Sequence, residues 1–365
     1  MMGKAVSATV SGVYAAALLL GQTPALAQPA APAGGLGKAP SCTPPPAPPR
    51  PAGAQPGGAP PPPAPRPSLP ISAIPGVIAG GVSWTKVWQQ ASNSADGLIP
   101  DKDGNVLMAQ EDYDTVLRLH PDGKTDVAVK DAKGIGAVSI DRQGRLYGAH
   151  RTERVGSTKP DKDQIMNAIR VLTPSQQTIG QAWAGNAGAE RPNDLIADNH
   201  GGAWFTAVCL YYASPAGVTT VAENINTNGI NLSPDEKTLY VTNGPTIVAF
   251  DVKGPGVLEN RRDFAHLDAG GGGDGMAVDT EGRLYVSSGP GVQVIDKTGK
   301  FLGLIPTPRA VISVTLAGPD RKTLYMVGSG ADDENGQPIK VGPQQTAATI
   351  YSVPVLGQGV KGHAK

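Results

Sequence analysis

The sequence predicts an all-β fold, a six-bladed β-propeller over residues 83–356, and three observations carry that prediction. A strand motif centred on an aromatic or leucine residue returns six times. It reads DKDGNVLMAQ from 101, DRQGRLYGAH from 141, DNHGGAWFTA from 198, SPDEKTLYVTN from 233, DTEGRLYVSS from 279 and GPDRKTLYMVGS from 318. The register residues Leu107, Tyr147, Trp204, Tyr240, Tyr285 and Tyr325 are spaced by 40, 57, 36, 45 and 40 residues, the period of propeller blades. No segment free of Gly and Pro holds a 3.6-residue apolar period over ten residues or more, which removes helical solenoids.

The elements follow in order. Lys4 precedes an apolar run from Val13 to Leu20, and Ala25-Leu26-Ala27 supplies a small-x-small cleavage site. Residues 1–27 therefore read as a signal peptide, with export to the periplasm or the medium as the expectation. The apolar run is too short to span a bilayer, and no later run reaches spanning length, so no membrane span is expected. Residues 28–82 read as a disordered linker: 17 of the 35 prolines lie between 28 and 70, in runs such as PPPAPPRP. A chain starting near residue 80 is accordingly expected to keep its thermal midpoint. Residues 357–365 read as a C-terminal tail.

Within the propeller, further alternating segments lie between the markers, such as DTVLRLHPDGKTDVAV (114–129) and GVQVIDKTGKFLGLI (291–305). PDG at 121–123 and KTG at 297–299 supply hairpin turns, in which glycine takes positive φ without a Cβ clash. The first strand (83–89) and the last (349–355) are expected to complete one blade between them, which removes two open sheet edges.

Composition excludes several function classes. With 31 basic against 31 acidic residues and 5% aromatics, the chain lacks the basic excess and stacking platforms of nucleic-acid binders. Two cysteines, Cys42 and Cys209, make neither a disulfide framework nor a thiolate metal site; a bridge between them would tether the linker to the propeller. There is no GxSxG nucleophile elbow, and the glycine run 270–273 has no following Lys-Ser/Thr to make a phosphate loop.

The repeat also picks out a ring. Eleven residues before Leu107, Tyr147, Trp204 and Tyr285 stand Asp96, Gly136, Asn193 and Asp274. Twelve before Tyr240 and Tyr325 stand Asn228 and Ser313. If this position opens the innermost strand, the six side chains converge on one mouth of the channel. Asp96, Asn193, Asn228 and Asp274 would then offer two carboxylates and two amide oxygens to one divalent cation. Ca²⁺ suits this set best, with Mg²⁺, Mn²⁺ or Zn²⁺ as alternatives. Taken singly, Asn228-Gly229 and Asp274-Gly275 read equally well as turn dipeptides. Asp194 reads as a cap for backbone amides beside the channel.

RPNDL at 191–195, NGINLSPDEKTLYVTN at 228–243 and GDGMAVDTEGRLYVSS at 273–288 give the chain a resemblance to the gluconolactonase/regucalcin-like (senescence marker protein) family. That resemblance implies a six-bladed propeller holding one divalent cation and hydrolysing sugar lactones. It implies metal ligation by Asn228 and Asp274, with Asp274 also the general base. It places Asn193 against cation or substrate, and Arg191 and His150 against substrate, His150 at a histidine many bacterial members carry. The chain departs from the family where Asp96 replaces a glutamate, where Ser313 replaces an asparagine, and where WFTAVCLYY lacks an aspartate. The expected activity is metal-dependent opening of a sugar-lactone or related lactone ring by attack of metal-activated water in the propeller channel. An esterase or phosphotriesterase on the same site, and a non-catalytic binding propeller, are the alternatives.

Overall fold

The computed structural model describes residues 66, 69–91, 95–151, 167–180, 191–339 and 347–362. The signal-peptide segment 1–27 and Cys42 lie outside them. The described residues form six four-stranded antiparallel sheets, a six-bladed propeller. Blades 1 to 6 cover residues 98–129, 135–180, 195–222, 227–266, 273–306 and 311–354. In the first five, strand order follows the chain from the axis outward. In the sixth, Thr85–Gln90 pairs with Ala348–Pro354, Thr85 facing Ser352, so the first and last strands close the ring as expected.

Each repeat motif builds the turn between the first two strands of its blade. Asp141 Oδ1 accepts the amides of Gln143 and Arg145 at 3.0 and 2.9 Å. Asp279 does the same for Glu281 and Arg283, both at 3.0 Å. These are Asx turns, in which a short acid replaces the missing strand partners. The register tyrosines return to the same acids, Tyr147 donating to Asp141 at 3.3 Å and Tyr285 to Asp279 at 3.2 Å. All six register residues lie on second strands and are buried.

The apolar core runs along the seams between blades. Ile196 and Trp204 meet Ile230 and Val241 between blades 3 and 4, and Tyr147 and Ile169 meet Phe205 and Tyr211 between blades 2 and 3. Cys209 belongs to the second seam and is disulfide-bonded, so it offers no thiolate.

Two boundaries move. The segment 28–82, expected to be a disordered linker, lies mostly outside the described residues up to residue 68, and its last part is packed. Ile71, Ile74, Val77 and Ile78, each at most 4% exposed, pack on Val292, Val294, Ile305 and Leu316 at the seam of blades 5 and 6. The tail begins later than 357, because Thr280 donates to the Gln358 carbonyl at 2.8 Å and Gly359 to that of Arg321 at 2.9 Å. Among the described residues no helix is long and apolar enough to cross a membrane.

Candidate functional site at the channel mouth

The innermost strands are Leu98–Pro100, Ile135–Ile140, Leu195–Ala197, Thr227–Leu232, Gly273–Val278 and Val311–Ala317. The six ring positions fall in the first residues of these strands or just before them, so the repeat phase places Asp96, Gly136, Asn193, Asn228, Asp274 and Ser313 at one end of the channel. In four blades the pairing register slips there: between Ile135 and Ala137, Thr227 and Ile230, Gly273 and Met276, and Val311 and Ser313. Such bulges bend a strand and re-aim a side chain. The next residue is often a glycine because the strands crowd together. A Cβ on Gly229 would stand 2.0 Å from the Asp274 carbonyl oxygen, and one on Gly275 would stand 2.6 Å from Ser313 Oγ. Asp194 caps this region as expected, accepting the amides of Leu195 at 3.0 Å and Ile230 at 3.3 Å.

Asp274 is a half-buried acid of the ring. Burial, and then the Asp96 carboxylate, push its carboxyl up to about 8 from the ordinary 3.8. The Gly275 amide at 3.0 Å, Arg151 and the Asn228 side chain act in the opposite direction without cancelling that rise. Beside it opens a cavity of about 380 Å³ whose walls include Thr227, Asn228, Asp274, Ser288 and Val311. Asn193 Nδ2 donates to Asn228 Oδ1 at 2.5 Å, joining the ring positions of blades 3 and 4.

Two residues not anticipated from the sequence complete the mouth. Arg151 follows the second strand of blade 2, and its guanidinium is buried at the ring. Nη2 donates to Asp96 Oδ2 at 2.8 Å, to Asn193 Oδ1 at 3.3 Å and to the Asn193 carbonyl oxygen. Nη1 donates to Glu111 Oε2 at 3.1 Å and Nε to the Pro192 carbonyl at 3.0 Å. Burial opposes the guanidinium's charge, but Asp96 and Glu111 outweigh it and hold its pKa above the ordinary arginine value. Glu111 also accepts from Arg191, so the expected substrate arginine is held in an ion pair, about one third exposed. His150 is buried in the second strand of blade 2, its ring against Gly134. The readable signal for Arg151 was Gly136: a ring position with no side chain leaves a slot that another side chain must fill.

The four expected metal ligands lie at the mouth, and three of their oxygens are taken up by hydrogen bonds within the protein. Asp96 Oδ2 and Asn193 Oδ1 accept from Arg151, and Asn228 Oδ1 accepts from Asn193. Ca²⁺ requires six to eight oxygens at about 2.3–2.6 Å. The arrangement does not fit the divalent site expected from the sequence, because a guanidinium takes oxygens that site needs.

Residues 129–330, more than half of the chain, match the family model described as the SMP-30/Gluconolactonase/LRE-like region. The chain belongs to this family. Among curated members of the SMP-30/gluconolactonase/LRE-like family, the chain is similar to lactonohydrolase oryL of Aspergillus oryzae. That match has 28% identity over 38% of this chain, and it spans only 42% of the longer fungal protein. It is similar to the gluconolactonase of Zymomonas mobilis at 25% identity, over 72% of this chain and 80% of that protein. A solved gluconolactonase from Xanthomonas campestris shares the fold, with a TM-score of 0.60 at 24% identity over 82% of this chain and 99% of that one.

Proposed function

We propose that this chain is a hydrolase that opens the ring of a small-molecule lactone at the channel mouth. The observation that carries the reading is Asp274, a half-buried carboxyl whose pKa of about 8 puts its proton exchange near neutrality, beside a cavity lined by residues of blades 4 to 6. A general base works best when its pKa lies near the working pH. Once ionised, Asp274 accepts a proton from water as the water oxygen bonds to the lactone carbonyl carbon. The ring C–O bond then breaks, and the leaving alkoxide takes up the proton, giving a hydroxy acid. Asn228, hydrogen-bonded to Asp274, orients the carboxyl. The lactonohydrolase and gluconolactonase relatives support this substrate class.

The divalent cation expected from the sequence has no step in this reading, because the residues present do not form its site. Export through residues 1–27 belongs to the same proposal, and N-terminal sequencing of the periplasmic or secreted protein tests it. The activity is tested with a panel of sugar lactones, aryl esters and phosphotriesters, with and without Ca²⁺, Mg²⁺, Mn²⁺ or Zn²⁺. Turnover of lactones above the other classes is expected. Turnover confined to esters or phosphotriesters, or none at all, would sink the assignment.

A further inference from the structure

The position that blade 2 contributes to the ring is a glycine, and its slot is filled from outside the ring. A Cβ on Gly136 would stand 2.3 Å from both Cζ and Nη1 of Arg151, so the glycine makes the room in which the guanidinium lies. From that slot each of the three guanidinium nitrogens donates. Its acceptors are Asp96 and Glu111 of the blade-1 side and Pro192 and Asn193 at the entry to blade 3. The Arg151 side chain is 2% exposed, and those of Asp96 and Glu111 are 26% and 10% exposed.

A guanidinium stays charged across the accessible pH range and forks onto oxygens in a fixed plane. Placed here, it brings to two carboxylates and an amide oxygen the positive charge that a metal ion would otherwise supply. A dication approaching Asp96 or Asn193 meets that charge at contact range. Arg151 takes Asp96 Oδ2 and Asn193 Oδ1, and the side-chain oxygens left on the ring, Asp96 Oδ1 and those of Asn228, Asp274 and Ser313, fall short of the six to eight that Ca²⁺ takes. The short Asp96 side chain suits this partner, since Arg151 covers the distance that a longer acid would have to span.

We infer that the Arg151 guanidinium is the resident cation of the channel mouth, standing in the Gly136 slot in place of a divalent ion and making the site metal-independent. The inference rests on the same channel mouth as the proposed hydrolase but not on its turnover. Arg151 is a positioning residue here: its nitrogens are occupied by protein oxygens, and it acts by holding Asp96 and Asn193.

The test is metal binding by the full chain after chelator treatment and dialysis, followed by calorimetry and thermal melting with Ca²⁺, Mg²⁺, Mn²⁺ and Zn²⁺ in turn. The wild type is expected to show no saturable one-to-one binding and a Tm rise of no more than about 1 °C at about 5 mM metal. Arg151→Ala releases Asp96 and Asn193 and should gain at least about tenfold in affinity for one of these ions, seen as a metal-dependent Tm rise. Arg151→Lys, which keeps a charge but loses the fork, should gain less. Submillimolar stoichiometric binding by the wild type that Asp96→Ala abolishes would overturn the inference. So would failure of both the wild type and a folded Arg151→Ala to bind. If Arg151→Ala does not fold, the wild-type titration alone decides. Lactone turnover is scored separately: a metal-free active enzyme supports both readings. An inactive protein that binds no metal removes only the hydrolase, and a metal-binding enzyme removes only this inference.

Discussion

At the residue scale the mouth divides into two halves of opposite character. Asp96, Glu111, Arg151 and Arg191 form a neutral chain of two carboxylates and two guanidiniums on one side. Asp274 faces them with a raised pKa. Asp274→Asn keeps the shape and removes the base, so lactone turnover should fall by at least about 10²-fold while the fold survives, as kcat and circular dichroism will show. In the wild type, kcat/KM should rise with pH and level off above about 8, as the carboxyl ionises. Stability should move the other way. Because the folded-state value lies above 3.8, this group's contribution is full below that pH and is lost as pH rises towards about 8. Melting curves of Asp274→Asn should therefore overtake those of the wild type across that window, and parallel curves would remove the buried-acid account.

At the element scale the informative piece is the packed segment 71–78. Replacing a fully buried isoleucine by alanine costs about 2–5 kcal/mol, and about 2–4 °C accompanies each kcal/mol in a domain of this size. Ile78→Ala should therefore lower the melting temperature by at least about 4 °C. A chain beginning at residue 69 also loses Cys42, the sequence's other cysteine, so it should match a full chain carrying Cys42→Ser, and one beginning at residue 84 should fall below both. Equal midpoints for all three would show that the seam gains nothing from the segment. The same element shows where sequence reading succeeds and where it stops. The turn acid, its tyrosine and the inner-strand ring recur at a fixed phase, so Asp274, Asn228, Asn193 and Asp96 were placed by counting alone. Arg151 and Glu111 belong to no repeat position. They reach the ring through side-chain length and a slot left by Gly136, neither of which has a periodicity. The Ile71–Ile78 cluster was hidden for a related reason, since its partners on blades 5 and 6 lie more than 200 residues away.

At the scale of the whole molecule, closure depends on one short strand. Thr85–Gln90 is the outer strand of blade 6, and without it Ala348–Pro354 would become an open edge, where backbone groups without partners invite pairing with other chains. A chain beginning at residue 91 should aggregate, and size-exclusion chromatography of the refolded protein will show it. A monodisperse monomer would mean that the ring holds through its seams alone.

Closure also brings the two ends of the folded region together. Leu356 donates to the Val77 carbonyl at 2.7 Å, so the approach to blade 6 and the departure from it run side by side. The order in which the blades are synthesised is thus separable from the order in which they stand around the axis. A circular permutant that links residue 362 to residue 69 and starts anew between Glu223 and Asn224 would keep the buried Ile225 in the seam of blades 3 and 4 and leave the hydrogen bonds at the channel mouth in place. Chain termini that lie close together are what makes such rearrangement tolerable. The permutant would also lack the segment upstream of residue 69 in its native attachment, which would separate what that segment does for the cell from what the propeller does in the tube.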